Sequence, residues 1–94
     1  MDHKANKKAL YDAADQFIAM ANAIAQQDTS GLAGTAIRYA AARYSAFEAS
    51  RMSSDLAIDK VKMQELFTKD FYKMMDEHLD VYIDHLATLQ NDKG

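Results

Sequence analysis

The chain has 94 residues, a formal net charge of −3 at pH 7 and an apolar fraction of 49%. A chain of this size forms one domain with a modest core that buries roughly 60–65% of the unfolded chain's surface, so its stability is marginal unless a second subunit adds to the core. Because the chain has no cysteine, disulfides, zinc–thiolate sites and thiol catalysis are excluded, and the acidic balance disfavours wholesale binding to a phosphate backbone.

The composition favours helices throughout the chain. It has no proline and only three glycines, so the residue that breaks helices most strongly is missing. No stretch is long and apolar enough to cross a bilayer, and Asp12 and Asp15 interrupt the apolar region that a signal peptide would need. We therefore expect an all-helical cytoplasmic protein with no membrane partner.

The first helix is predicted from about residue 6 to residue 27. Its apolar side chains recur at alternating spacings of three and four residues, which is typical of one buried stripe. The stripe comprises Leu10, Ala14, Phe17, Ala21 and Ile24, widened by Tyr11, Ile18 and Ala25. Turn residues and possible helix caps follow between Asp28 and Gly34, so the chain is expected to reverse there.

The second helix is predicted over residues 32–52, antiparallel to the first. The alanine-rich segment Tyr39–Phe47 lies near its centre, and small side chains beside large rings allow helices to pack closely. One stripe is predicted to join the core, and its members are Ala33, Ile37, Ala40, Tyr44 and Phe47. The charged side chains of this helix give a net charge of +2, from Arg38, Arg43, Arg51 and Glu48.

The third helix is predicted over residues 54–90, with apolar side chains about every 3.7 residues between Met63 and Leu89. If it is continuous, it is about 55 Å long, against about 33 Å for each earlier helix. Roughly 20 Å of it would then extend beyond the ends of the other two helices, and we call this part the overhang. The overhang carries a row of large apolar side chains, namely Leu79, Tyr82, Ile83, Leu86 and Leu89.

Small domains do not usually expose such a row to water. Either the helix bends near Asp76–His78 and folds back, or the row packs against a second copy of the chain. The homodimer is the preferred interpretation, because the chain has too little bulk to cover the row and two-fold dimers are the commonest closed assembly. The corresponding role is a protein-interaction or structural module, with itself and an unidentified protein as partners.

Arg43 is the side chain that the sequence singles out for a site. It borders the apolar stripe, so its stem can be buried while its guanidinium pairs with a carboxylate, for which Asp15 or Asp12 is predicted. An alternative is a site for a small anionic ligand, centred on Arg43 with Tyr39, Tyr44 and Asp15. A further alternative is weak nucleic-acid binding through the second helix and the N-terminal lysines, Lys4, Lys7 and Lys8.

No catalytic residue and no cofactor are predicted, so we expect the protein not to be an enzyme. Ser45 shares its helix with no histidine and lies in no nucleophile elbow. Ligand types for a metal do occur close together, but neither Glu-x-x-His nor His-Glu-x-x-His is present, and the two histidines lie too far apart for one ion without a second element. These ligand types are Glu77, His78, Asp84 and His85.

Several segments resemble a family of small bacterial proteins classed as a domain of unknown function. They are Leu10–Asn22, Tyr39–Phe47, Phe67–Met75 and Leu79-Asp80, and the similarity covers most of residues 9–83. The resemblance implies a short, all-helical cytoplasmic protein and brings no activity. This resemblance and the helical patterns together predict an all-α fold, a three-helix bundle with a long C-terminal helix. We expect residues 1–94 to form a single domain and two such chains to form a homodimer.

Overall fold

The structure, a computed structural model, describes residues 3–93, with side chains for residues 6–91. It contains three helices, α1 (His3–Gln27), α2 (Leu32–Met52) and α3 (Leu56–Lys93). Helices make up 92% of the structure, and no strand occurs between residues 3 and 93. The predicted all-α class and the predicted number of helices are confirmed.

Helix α3 runs through the predicted bend region without interruption. It contains 38 residues, from Leu56 to Lys93, which corresponds to about 57 Å. The segment Asp76–His78 is helical throughout. The helix is therefore not interrupted at the point where the sequence suggested a bend.

The first connection, between α1 and α2, is held by Asp28. Its Oδ1 accepts a hydrogen bond from the backbone N–H of Ser30 at 2.8 Å and another from the Ser30 hydroxyl. These two bonds hold the pKa of the Asp28 carboxyl below its usual range, the hydroxyl bond contributing most. Gly31 follows with a φ of 94°, and its carbonyl accepts a bond from the N–H of Thr35 at 3.3 Å. This predicted reversal is therefore a turn stabilised by an aspartate.

The second connection ends in a capped helix start. The Asp55 Oδ1 accepts a hydrogen bond from the backbone N–H of Ile58 at 3.2 Å, which satisfies one of the unpaired donors in the first turn of α3. The Ser53 hydroxyl donates to Asp59 Oδ2 at 2.7 Å and accepts from the N–H of Asp55 at 3.1 Å. These bonds explain why α3 begins at Leu56 rather than at the predicted residue 54.

Contacts divide the chain into two compact units, Met1–Phe47 and Glu48–Gly94, with the division inside α2. In the first unit no described side chain is buried, and the partly covered residues are mostly small. On α1 these residues lie on one stripe, Ala14, Ala21 and Ile24, whereas on α2 they are Ala33, Gly34, Ala36 and Ser45. This unit is therefore a helical hairpin that rests on small residues.

The second unit contains the two buried side chains of the structure, Ala49 at 4% and Met63 at 9% exposure. Phe67 is half-buried, and every side chain from Thr68 to Asn91 is exposed. Burial is thus confined to the start of α3 and the end of α2. The single domain and the bundle predicted for residues 1–94 stay predictions, because each unit is defined by its own contacts.

The predicted core stripes of α1 and α2 are partly covered at Ala14, Ala21, Ile24 and Ala33 but are exposed at their other large side chains. Phe17 is 66% exposed, and Leu10, Tyr44 and Phe47 are also exposed. In the first unit the partial cover falls mainly on small residues, while the large side chains beside them stay uncovered. No helix in the described part of the chain has an apolar stretch long enough to traverse a membrane.

The two glycines of the first connection should respond oppositely to alanine. Gly31→Ala is expected to destabilise the protein by about 1–2 kcal/mol, because a Cβ meets no atom within 4 Å but the positive φ is strained. Gly34→Ala should stabilise it by about 0.5–1 kcal/mol, since this helical position offers ordinary contact with the Arg38 guanidinium at 3.4 Å. Urea unfolding at one fixed protein concentration measures the change in the free energy of unfolding for both variants. Changes of the same sign would contradict the different backbone conformations described for Gly31 and Gly34.

The Asp28 turn predicts a specific titration. Ser30→Ala removes the hydroxyl donor but keeps the backbone donor, so the pKa of Asp28 should rise toward its ordinary value of 3.8 while staying below it. Because the folded-state pKa is lowered, the turn's contribution to stability is present above about pH 4 and is lost as the pH falls through the lowered pKa. Carboxyl NMR titration measures the shift, with Thr29→Ala as the control that should leave it unchanged.

Candidate functional site

One side of α2 forms a shallow, open depression of about 460 Å³. Its lining residues are one, three, one and three positions apart in the sequence, so they share one side of the helix. They are Tyr39, Ala40, Arg43, Tyr44 and Phe47, and we call this surface the Arg43 face. The structure thus brings together three of the predicted ligand-site residues, Tyr39, Arg43 and Tyr44.

The aromatic rings of the Arg43 face are exposed, and two of them lie against each other. The ring centroids of Tyr44 and Phe47 are 5.8 Å apart, with a tilt of 46° between the ring planes. Tyr39 is 70% exposed at the other end of the depression. Ala40 is the small member of the lining. The Arg43 face therefore offers apolar rings around one guanidinium.

The predicted ion pair of Arg43 is not formed within the chain. Arg43 and Asp15 are both exposed, and among residues 6–91 the structure pairs Arg43 with neither Asp15 nor Asp12. Asp12 instead pairs with Lys8 one turn earlier, with 2.6 Å between Nζ and Oδ2. Asp15 also does not line the depression. The prediction that Arg43 forms an ion pair with Asp15 or Asp12 of α1 is therefore wrong.

The Arg43 face includes two residues that the ligand-site prediction left out. Ala40 and Phe47 line the depression, although the sequence placed them only in a core stripe. The signal was available, because Phe47 lies four residues after Arg43 and Ala40 three residues before it. The spacing predicts burial of Ala40 and Phe47, but both are exposed in the chain.

The predicted interface residues of α3 form a second exposed surface. They recur at spacings of three, one, three and three residues along one side of the continuous helix. We call this surface the C-terminal row, and its members, between 43% and 64% exposed, are Leu79, Tyr82, Ile83, Leu86 and Leu89. Their common face and their exposure in the chain agree with the prediction of an unpartnered apolar row.

A line of carboxylates borders the C-terminal row. Asp76, Asp80 and Asp84 are four residues apart and exposed, and we call them the acidic row. Asp80 and Asp84 directly follow Leu79 and Ile83 in the sequence, about 100° further around the helix. No ion pair of these carboxylates is formed in the part of the chain with described side chains. Like charges at this spacing oppose the helix by a few tenths of a kcal/mol per pair unless a cation approaches.

The remaining candidate groups are not assembled into a site. Within residues 6–91 no three histidine or carboxylate side chains are placed to hold one metal ion. Among the N-terminal lysines, Lys7 is exposed and Lys8 is engaged by Asp12, whereas the side chain of Lys4 lies outside the described residues. The expectations of no cofactor and of no catalytic group stay predictions.

Comparison with known proteins adds a family but no activity. A family model described as "Protein of unknown function (DUF3144)" matches residues 10–83. This match confirms the resemblance to a family of unknown function. A search of curated proteins and a search of solved structures gave no significant match.

The exposure of Asp15 predicts a small mutational effect. Asp15→Asn should change the free energy of unfolding by less than about 0.5 kcal/mol, because the side chain is exposed and forms no ion pair with Arg43. Met63→Ala is the positive control and should cost about 2 kcal/mol or more, since Met63 is buried. Chemical unfolding of both variants gives the comparison. A loss above 1.5 kcal/mol for Asp15→Asn would restore the predicted tie.

Proposed function

The chain belongs to a family of proteins of unknown function, and on that premise we propose that it is a helical protein-interaction module that acts as a homodimer. The observation that carries the proposal is the C-terminal row, which is aligned on one side of α3 and exposed along its whole length. Aligned apolar side chains on an unpartnered helix are the usual surface for a second helix. The proposed role is not enzymatic, and the predicted cytoplasmic location stays a prediction.

Exposed aromatic side chains outside the C-terminal row also support a second subunit. Phe17, Tyr44 and Phe47 are all more than half exposed, and exposed apolar surface of this kind is the usual site of protein–protein contact.

The two alternatives receive less support. Small-ligand sites are usually concave, with polar groups converging from several elements, but the depression beside Arg43 is open and its lining comes from α2 alone. Nucleic-acid binding would require a dense cationic patch, and one of the N-terminal lysines is already paired with Asp12. A surface for a protein helix fits the Arg43 face better than either alternative.

The dimer can be tested with one substitution and a matched control. Leu86→Glu puts a charge in the C-terminal row while keeping a good helix former, so it should raise the dimer dissociation constant at least tenfold, or about 1.4 kcal/mol. Val81→Glu makes a comparable change at an exposed apolar position on another side of α3 and should leave the constant within about threefold.

Sedimentation equilibrium of the full chain measures both variants. The unmodified protein should have about twice the chain mass of 10.5 kDa. A mass of one chain at high micromolar concentration would refute the dimer. Equal effects of the two glutamates would show that the C-terminal row is not the interface.

A further inference from the structure

The Arg43 face and the surfaces of α3 are opposite in charge, and both carry exposed apolar side chains. The Arg43 face presents rings around an open depression with a cation in it, whereas the C-terminal row presents branched and aromatic side chains bordered by carboxylates. Between Met74 and Asn91 the chain carries four acids and no lysine or arginine. Neither Arg43 nor the acidic row has an ion-pair partner among the residues whose side chains are described.

From this complementarity we propose that the Arg43 face binds the C-terminal row and the acidic row of a second copy of the chain. The inference rests on the proposed homodimer and specifies which surfaces meet in it. Each chain carries one of each surface, so two copies related by a two-fold axis form two equal contacts. The Arg43 face and the C-terminal row of each chain then both have a partner.

The sizes of the side chains on the two surfaces indicate how they would pack together. Ala40 lets a neighbouring helix approach α2 closely, and the rings of Tyr39, Tyr44 and Phe47 surround the depression into which an apolar side chain can insert. Leu79 and Ile83 are the members of the C-terminal row next to the acidic row. Insertion of either one brings a carboxylate near the Arg43 guanidinium.

The charges set which side of α3 faces Arg43 more than they set the strength of the contact. Arg43 can pair with Asp80, the middle member of the acidic row, when the two helices are in register. The acidic row lies on one side of α3, so this pair turns that side toward the guanidinium. Reversing either charge puts like charges together twice in each symmetric dimer, which should weaken association.

Charge reversal on both sides tests the contact directly. Arg43→Glu and Asp80→Arg, each alone in the full chain, should raise the dimer dissociation constant at least about tenfold. An equimolar mixture of the two variants should recover the unmodified constant within about threefold, because both contacts of the mixed dimer then join opposite charges. Arg38→Glu is the matched control on α2, since the Arg38 guanidinium lies over Gly34 and not in the depression, and it should have little effect.

Native mass spectrometry with one variant isotopically labelled reads out the mixed dimer. Preferential formation of the mixed dimer supports the contact, and a variant that merely fails to fold cannot produce it. If the unmodified chain dimerises and Leu86→Glu weakens it, but the mixture shows no preference, this inference is overturned and the dimer stands. If the unmodified chain is a monomer, the proposed function itself fails.

Discussion

Helices in water are stabilised mainly by packing of their apolar faces against other elements, and in this chain few apolar side chains are buried in that way. Its hairpin rests on small residues, and burial in the second unit is limited to Ala49 and Met63. The large apolar side chains of all three helices are left with much of their area in water. Two exposed surfaces, the Arg43 face and the C-terminal row, concentrate this area on single helix sides, and both follow from the same shortage of cover.

Charge is distributed in a way that gives these surfaces opposite character. Arginines are concentrated on α2 and carboxylates on the C-terminal half of α3, although the chain as a whole is only modestly acidic. Exposed ion pairs contribute little to stability in isolation. Their effect at an interface is to select one partner orientation over others. The segregation of charge is therefore better explained by recognition than by the stability of one folded chain.

The sequence predicted the helices well and their burial poorly. Three- and four-residue spacings located all three helices, and the absence of proline and of interior glycine in α3 was enough to predict a long helix. Spacing shows which side chains share a side, but not whether that side meets the same chain, a second chain or water. Arg43 illustrates this limit of sequence reasoning. Its apolar neighbours predicted that the guanidinium would pair with a carboxylate, but they could not show whether Asp15 lies within reach, and the structure does not pair the two.

The uninterrupted course of α3 has a consequence for how the protein exists in a cell. Its side chains from Thr68 onward are all exposed, so cover for that half of the helix comes from a second copy in the proposed dimer. Its helical order is then linked by mass action to the amount of protein present. In the proposed dimer, dilute chains would leave that half-helix without cover and open to fraying and proteolysis, whereas abundant chains would protect one another. The proposal thereby ties the protein's lifetime to its own abundance.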